Sequence, residues 1–253
     1  MKSNKMKSKL AAGQPALGCS VMFPSAPIVE MLGYAGFDWI LLDCEHGSLS
    51  LADVELMAMA ADAVGITAIA RPRTNSIADI QSVMDRGVMG VQVPHVNTAE
   101  DARRAVAAVK FGPGSGRGLA AGTRPDNWGL GPKMGDFTAA ANEQSLVCVQ
   151  LEHEAAIHNV EDILQVEGID VFFIGPSDLS QSMGYPGNPS APPVDKAIKE
   201  TLSKIVAAGK TPGMPASADN VSRLLGSGVR YIYTHVPKLL GTGAGAFLTA
   251  AKT

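Results

Sequence analysis

Short apolar runs alternate with amphipathic segments along almost the whole chain. The apolar runs predict eight strands, at residues 16–22, 37–43, 66–71, 90–94, 146–151, 169–174, 211–214 and 230–234. Segments with helical periodicity lie between them, at residues 27–34, 50–63, 76–86, 98–110, 154–165, 193–208 and 218–225, and one follows Pro237. Runs such as Trp39–Leu42 are apolar at every position, which is typical of strands covered on both faces. This alternation favours a (β/α)8 barrel over an open sheet.

The signals that begin and end helices are evenly spaced. Ser50 and Thr98 each stand shortly before acidic residues, as at a helix N-terminus, and glycines such as Gly65 and Gly87 follow helical patterns. A length of 253 residues is compatible with one large domain or two small ones. The regular spacing favours a single barrel domain over residues 1–253.

Charge and composition narrow the partners. The net charge of −3 and pI near 5.9 give no electrostatic reason to expect nucleic acid or an anionic membrane as a partner. No apolar run approaches the roughly 18 residues that span a bilayer. The basic residues 1–10 lack the apolar core of a targeting signal, so we expect a flexible, solvated N-terminus.

Three cysteines, Cys19, Cys44 and Cys148, are widely spaced and lie in apolar runs. They indicate neither a disulfide framework nor a zinc site, and a reducing cytoplasm is the expected compartment. A Cys44/His46 nucleophile is conceivable. Because side chains alternate along a strand, however, we expect Asp43 to point into a site and Cys44 into the core.

Two carboxylates follow strands that flank one helix. Glu152 ends the strand at 146–151, and Asp178 follows the strand at 169–174 across a Gly-Pro-Ser turn. If these strands are parallel neighbours, both carboxylates emerge at the same edge, where α/β folds bind ligands. Each could instead cap the helix that follows it. The repetition of polar residues after other strands favours a site.

Asp43, Glu45 and His46 follow the second strand, and Arg71 ends the third. In a barrel, these residues converge on one mouth with Glu152 and Asp178. Two carboxylates suit a hard divalent ion such as Mg²⁺ or Mn²⁺. Such an ion bound to a 2-oxo acid stabilises an enolate, Arg71 would share the developing charge, and His46, oriented by Asp43, would exchange protons.

Several segments resemble the HpcH/HpaI family of metal-dependent (class II) pyruvate aldolases. They are FDWILLDCEHG, Arg71-Pro72, the stretch ending in Gly116-Arg117-Gly118, VQLE and, most specifically, EGIDVFFIGPSDLSQSMGYPGNP. The resemblance runs from about Gly18 to Leu225. It implies a (β/α)8 barrel assembled as a homohexamer, a trimer of dimers, with a C-terminal helix exchanged between subunits. It also implies cleavage of 4-hydroxy-2-oxo acids, such as 4-hydroxy-2-oxoheptanedioate or 2-keto-3-deoxy sugar acids, to pyruvate and an aldehyde.

The resemblance also assigns residues. It implies Glu152 and Asp178 as ligands of a divalent ion (Mg²⁺, Mn²⁺ or Co²⁺), His46 with Asp43 as the acid/base pair, and Arg71 as the enolate-stabilising group. Gln150 would lie beside pyruvate, and the backbone of Gly175, Pro176 and Ser177 would surround its carboxylate.

Departures from the family pattern concern the walls that choose the aldehyde. Cys44, His153, Ser20 and His235 stand where the family commonly has other residues. His153 and His235 could be a third metal ligand or contact an acidic substrate tail, although a structural role is expected. The glycine-rich loop at about 111–136 is predicted to be an active-site or subunit-contact loop, with Arg117 binding an anion or bridging subunits.

The leading hypothesis is a cytoplasmic, divalent-metal-dependent aldolase acting on a small 2-oxo acid and an aldehyde. His46 with Asp43 would remove the proton of the C4 hydroxyl, directly or through a metal-bound water, and the C3–C4 bond would break. The metal and Arg71 would hold the pyruvate enolate. The alternatives are an acyl-CoA lyase like the citrate-lyase β subunit and a non-catalytic barrel that binds 2-oxo acids.

Overall fold

The computed structural model describes residues 2–252, and its centre is a closed barrel of eight parallel strands. Each strand pairs with the next along the chain, and β8 pairs with β1. The strands are β1 Ala16–Val21, β2 Trp39–Asp43, β3 Thr67–Arg71, β4 Gly90–Val93, β5 Leu146–Leu151, β6 Val171–Ile174, β7 Pro212–Pro215 and β8 Tyr231–His235. The predicted (β/α)8 barrel is confirmed.

Helices surround the barrel. They are α1 Lys5–Ala11, α2 Ala26–Tyr34, α3 Leu51–Val64, α4 Ile77–Met84, α5 Ala99–Val109, α6 Met134–Gln144, α7 Glu154–His158, α8 Val160–Leu164, α9 Pro176–Ser182, α10 Pro192–Ala207, α11 Val221–Gly226 and α12 Val236–Ala250, with a 3₁₀ helix at Arg124–Gly129. The caps expected from sequence form at α3 and α5, where Ser50 with Asp53 and Thr98 with Asp101 make reciprocal hydrogen bonds. The single helix predicted at 154–165 is two short helices that meet at Asn159.

Strand alternation creates two cores. Outward side chains of the strands pack against the helices, whereas inward side chains such as Trp39 and Tyr231 fill the barrel interior. The Trp39 and Tyr231 rings lie 4.2 Å apart, centroid to centroid. Gly18 on β1 makes room for this pair, because a Cβ there would overlap the Trp39 indole. The filled interior leaves the carboxyl ends of the strands as the place for a site.

The N-terminus differs from the prediction. Residues 5–11 form α1, and its Met6 and Leu10 side chains belong to the same core as the barrel interior. The Asn4 side chain caps this helix by accepting a hydrogen bond from the Lys7 N–H at 3.0 Å, and it donates one to the Met89 carbonyl at 3.1 Å. The expectation of a flexible tail is therefore wrong from Asn4 onwards.

The loop at 111–136 lies on the outer surface of α3 and α4. The N–H of Gly118 donates to the Gln81 side chain at 3.0 Å, and Arg124 pairs with Asp62 at 2.5 Å. Within this chain, these contacts hold the segment against the helical shell.

The C-terminal helix contrasts with the others because it buries no side chain. Leu240 and Phe247 are 71% and 74% exposed, respectively. Among residues 2–252, no helix has the length and apolar character needed to cross a bilayer.

Candidate active site at the carboxyl ends of the strands

The barrel's alternation decides which polar residues enter the mouth. Trp39 and Leu41 face the interior, so Asp43, two positions further along β2, continues the inward column. Ile40, Leu42 and Cys44 belong to the outer core. Cys44 is buried, and burial raises the pKa of its thiol to about 11, as expected of a core cysteine and not of a nucleophile. The same alternation places Arg71, Gln150 and Glu152 at the ends of inward columns.

Asp43 and Arg71 form a buried bidentate pair across the β2–β3 register. The Arg71 Nε donates to Asp43 Oδ1 at 2.9 Å, and Nη2 donates to Oδ2 at 2.5 Å. Burial opposes the charge of the Asp43 carboxylate, but hydrogen bonds and charge from Arg71 outweigh burial and lower its pKa. Burial similarly opposes the Arg71 charge, yet its acidic partners raise its pKa. Both groups are therefore held ionised in a fixed orientation.

The same Asp43 carboxylate shapes the turn after β2. Its Oδ1 accepts the backbone N–H of Glu45 at 3.1 Å and that of His46 at 3.2 Å. The His46 imidazole is half exposed, and its Nε2 lies 3.6 Å from Oε2 of Glu45. Asp43 thus holds His46 by its backbone, whereas Glu45 is the acid beside the ring. Asp43 was expected to orient the His46 imidazole; its hydrogen bond is to the His46 backbone N–H.

A chain of hydrogen bonds runs through the barrel interior to Glu152. The Tyr231 hydroxyl donates to Gln92 Oε1 at 3.1 Å, and Gln92 Nε2 donates to Gln150 Oε1 at 2.5 Å. The Gln150 amide then donates to Oε2 of Glu152. All four side chains are buried. The chain fixes which end of the Gln150 amide faces the Glu152 carboxylate.

A pocket of about 300 Å³ opens at this mouth. It is lined by Met22, His46, Arg71, Gln150, Phe173, Gly175, Pro176, Ser177, Asp178, Pro215, Tyr233 and His235. Gly175 is required beside Glu152, because a Cβ there would lie 2.9 Å from Glu152 Oε2. Larger grooves lie between outer helices, but among residues 2–252 this pocket is the one that combines an imidazole, a buried guanidinium and the Asp178 carboxylate, with Glu152 directly behind Gln150 and Gly175. Of the predicted site residues, His46, Arg71, Gln150, Gly175, Pro176, Ser177 and Asp178 line it directly.

Glu152 belongs to a second group of ligand atoms that the sequence interpretation missed. One ligand atom each from Glu45, His95 and Glu152 lie within 4.8 Å of one another. The His95 N–H donates to Glu152 Oε1 at 2.8 Å, and His95 Nε2 lies 3.1 Å from Glu45 Oε1. No sequence spacing connects His95 with the other two residues. Its position after β4, beside β5, is the signal that could have found it.

The donor set fits a divalent cation. Glu152 is 2% exposed, and burial raises the pKa of its carboxyl although the His95 N–H and the Gln150 amide oppose the change. Oε2 of Glu45 is buried, accepts no hydrogen bond among residues 2–252 and lies 3.3 Å from Arg71 Nε. A cation bound at Glu152 would offset the cost of burying that carboxylate. Asp178, in the first turn of α9, adds a further carboxylate to the pocket.

The other singled-out residues have local partners. The ring Nδ1 of His153 accepts the Ala155 N–H at 3.1 Å, and this exposed histidine caps α7. His235 lines the pocket and packs edge-on against Tyr233 with centroids 5.4 Å apart. Arg117 is buried, stacks on Phe111 and donates to the Val109 carbonyl at 2.9 Å. Within this chain, these contacts give Arg117 a structural role.

Comparison with known proteins finds relatives that are named aldolases. A hydroxypyruvate/pyruvate aldolase of Sagittula stellata is 36% identical over 220 residues, which are 87% of this chain and 86% of that protein. A 4-hydroxy-2-oxo-heptane-1,7-dioate aldolase of Shigella sonnei is 36% identical over 249 residues, 98% of this chain and 94% of its own.

Among solved structures, an HpcH/HpaI aldolase/citrate lyase family protein from Burkholderia cenocepacia J2315 superposes with a TM-score of 0.93 at 27% identity, covering 99% of this chain and 100% of that one. The family model described as HpcH/HpaI aldolase/citrate lyase matches residues 19–230. With the predicted motifs and the barrel in agreement, the chain belongs to the HpcH/HpaI aldolase/citrate lyase family.

Proposed function

We propose that this chain is a divalent-metal-dependent aldolase that cleaves a 4-hydroxy-2-oxo acid to pyruvate and an aldehyde. The observation that supports this most strongly is the pocket in which His46, Arg71 and Gln150 meet Asp178. Two relatives that share 36% identity with the chain are named aldolases, which favours this function over an acyl-CoA lyase or a non-catalytic binder.

We assign the cation to Glu152 and Asp178, which follow the adjacent strands β5 and β6. The physiological ion is to be found among Mg²⁺, Mn²⁺ and Co²⁺. When bound, a divalent cation supplies Lewis-acid stabilisation of the enolate formed from the 2-oxo acid. The buried Glu152 carboxylate is fixed for this role by the Gln150 amide and the His95 N–H.

Arg71 would stabilise negative charge on the substrate. The Asp43 carboxylate accepts hydrogen bonds from Nε and Nη2 of Arg71, so the direction of the guanidinium is set before substrate binds. Preorganisation of this kind avoids the cost of turning a dipole during the reaction. Gln150 would hydrogen-bond pyruvate, and the backbone of Gly175, Pro176 and Ser177 would surround its carboxylate.

His46 would act as the general base that takes the proton of the C4 hydroxyl. Its half-exposed ring reaches the pocket, while Asp43 fixes its backbone and Glu45 lies beside Nε2. In the synthetic direction the same imidazole would return the proton to the aldehyde oxygen. Met22, Pro215 and His235 line another part of the pocket and are placed to select the aldehyde.

We further propose a homo-oligomer, a trimer of dimers, in which α12 packs on a partner subunit. The support is the apolar surface that α12 leaves exposed, including Leu239, Leu240, Phe247 and Leu248.

The decisive test is exchange of pyruvate methyl protons with deuterium, followed by NMR. Enolisation by a metal-loaded enzyme predicts exchange with Mn²⁺ and none in excess chelator. Asp178→Asn should abolish exchange, whereas the matched control Asp195→Asn, on the outer helix α10, should retain it. Full exchange in chelator would refute the metal assignment. A panel of aldehydes with pyruvate and each ion would then identify the second substrate.

A further inference from the structure

The Glu152 carboxylate has two sides with different neighbours. Its Oε2 accepts the Gln150 amide and lies against Gly175, on the side of β6 that leads to Asp178. Its Oε1 accepts the His95 N–H at 2.8 Å and lies 3.4 Å from His95 Nδ1, on the side of β4. The β6 side is the one used in the proposed function. The β4 side offers a second oxygen to a different set of residues.

The two oxygens of the Glu45 carboxylate also have different neighbours. Its Oε2 lies 3.3 Å from Arg71 Nε, whereas its Oε1 lies 3.1 Å from His95 Nε2. The Glu45 side chain is only 10% exposed, and the buried Oε2 accepts no hydrogen bond among the residues that the structure describes. Glu45 Oε1 faces Nε2 of His95 and Glu152 Oε1 faces Nδ1, so two nearly buried carboxylates flank one imidazole.

The spacing suits a small cation. The ligand atoms of Glu45, His95 and Glu152 all lie within 4.8 Å of one another. Two ligands on opposite sides of a divalent ion, each about 2.0–2.3 Å from it, are separated by up to roughly 4.6 Å. His95 is 62% exposed, so an ion can reach it from solvent. Its backbone has φ +53°, its N–H donates to Glu152, and its ring lies between Glu152 and Glu45.

We propose that Glu45, His95 and Oε1 of Glu152 form a second cation position that does not need Asp178. An imidazole with two carboxylates suits Zn²⁺, Co²⁺ or Ni²⁺, whereas Mg²⁺ prefers oxygen ligands and keeps its waters. The position is thus selective for transition ions. It rests on the proposed function only through the shared residue Glu152.

The test uses the untagged full chain with Asp178→Asn, which removes the Asp178 carboxylate from the cation site of the proposed function. Calorimetric titration should show one equivalent of Co²⁺ and no Mg²⁺ bound by this variant. Adding His95→Ala should weaken Co²⁺ binding by about 100-fold or more, because the loss of an outer partner alone costs 10–100-fold. Adding His158→Ala, an exposed histidine of α7, should leave Co²⁺ binding unchanged. Visible absorption of Co²⁺ should change with His95→Ala and not with His158→Ala.

The second position is refuted if Asp178→Asn binds no Co²⁺, or if His95→Ala and His158→Ala have equal effects. Circular dichroism and the melting temperature of each variant establish that it is folded. Turnover of the wild-type chain with Mg²⁺, measured on the same preparation, tests the proposed function separately. Turnover without His95-dependent Co²⁺ binding rejects only the second position, and Co²⁺ binding without turnover rejects only the aldolase.

Discussion

The buried pair of Asp43 and Arg71 can be tested by Arg71→Met. The variant leaves the Asp43 carboxylate, which is fully buried, without its cation. Breaking a buried ion pair by removing one partner costs about 3–5 kcal/mol. In a chain of this size, 1 kcal/mol corresponds to roughly 2–4 °C, so the melting temperature should fall by roughly 6–20 °C. Arg86→Met is the matched control, since Arg86 pairs with Glu55 at 3.1 Å near the surface and should cost about 0.2–1 kcal/mol.

The dependence on pH distinguishes an ion pair from lost packing. In the wild type the pKa of Asp43 is lowered, so its contribution to stability is present above the unfolded value, near 3.9, and is lost as pH falls through the folded pKa. In Arg71→Met, burial remains and raises the pKa of Asp43. Its contribution is then favourable only in acid and is lost as pH rises through the folded pKa. The difference between the two proteins should therefore grow from pH 4 to pH 7.

Urea and thermal unfolding at fixed protein concentration, at both pH values, measure this difference. Asp43→Asn added to Arg71→Met removes the stranded carboxylate, so the double variant should be more stable at pH 7 than Arg71→Met alone. The reasoning fails if Arg71→Met costs no more than Arg86→Met. It also fails if the loss is equal at pH 4 and pH 7, or if Asp43→Asn recovers nothing.

Four further predictions concern the mouth and α12. Because burial raises the pKa of Glu152, ionisation of this carboxyl destabilises the metal-free fold as pH rises. Glu152→Gln should therefore have a higher melting temperature than wild type in chelator at pH 8. A lower melting temperature would contradict this. Mn²⁺ at 100 times its Kd should raise the wild-type melting temperature by roughly 5–10 °C and leave the melting temperature of Glu152→Gln unchanged. His46→Ala should slow cleavage about 10²–10⁴-fold in kcat with unchanged pyruvate affinity by calorimetry, and a matching loss of affinity would assign His46 to binding. Phe247→Glu should lower the mass in sedimentation equilibrium, unlike Lys196→Glu on α10; equal masses would remove α12 from the interface.

Alternation along the strands was the most informative sequence signal. It predicted that Asp43 faces the mouth and Cys44 the outer core, because the period of two is set by the pleat and not by distant contacts. Arg71 was predicted at the same mouth for a different reason, because it ends the third strand and the carboxyl ends of barrel strands converge. The barrel itself followed from counting strands and helices, and it is confirmed.

Contacts between residues far apart in the chain could not be predicted from the sequence. His95 approaches Glu152 from β4, 57 positions earlier, and no local pattern encodes that approach. The N-terminal helix did carry a signal: Met6 and Leu10 are spaced by one helical turn behind Asn4, a good N-cap. The basic residues around them obscured it. The hydrogen bond between Asp43 and His46 likewise depends on the geometry of the turn after β2, which directs the His46 backbone N–H towards the carboxylate.

The charges at the mouth imply an order of binding. Four acids, Asp43, Glu45, Glu152 and Asp178, lie at the mouth with one buried guanidinium, that of Arg71. With all of them ionised, these side chains carry three excess negative charges. A 2-oxo acid is itself an anion, and like charges in a partly buried site repel strongly. We therefore expect a divalent cation to bind before the 2-oxo acid. Calorimetry should detect no pyruvate binding in chelator and clear binding after Mn²⁺ is added, and tight binding of pyruvate to the metal-free chain would contradict this order. The buried Gln92–Gln150 chain is neutral, so it orients the site without changing this balance.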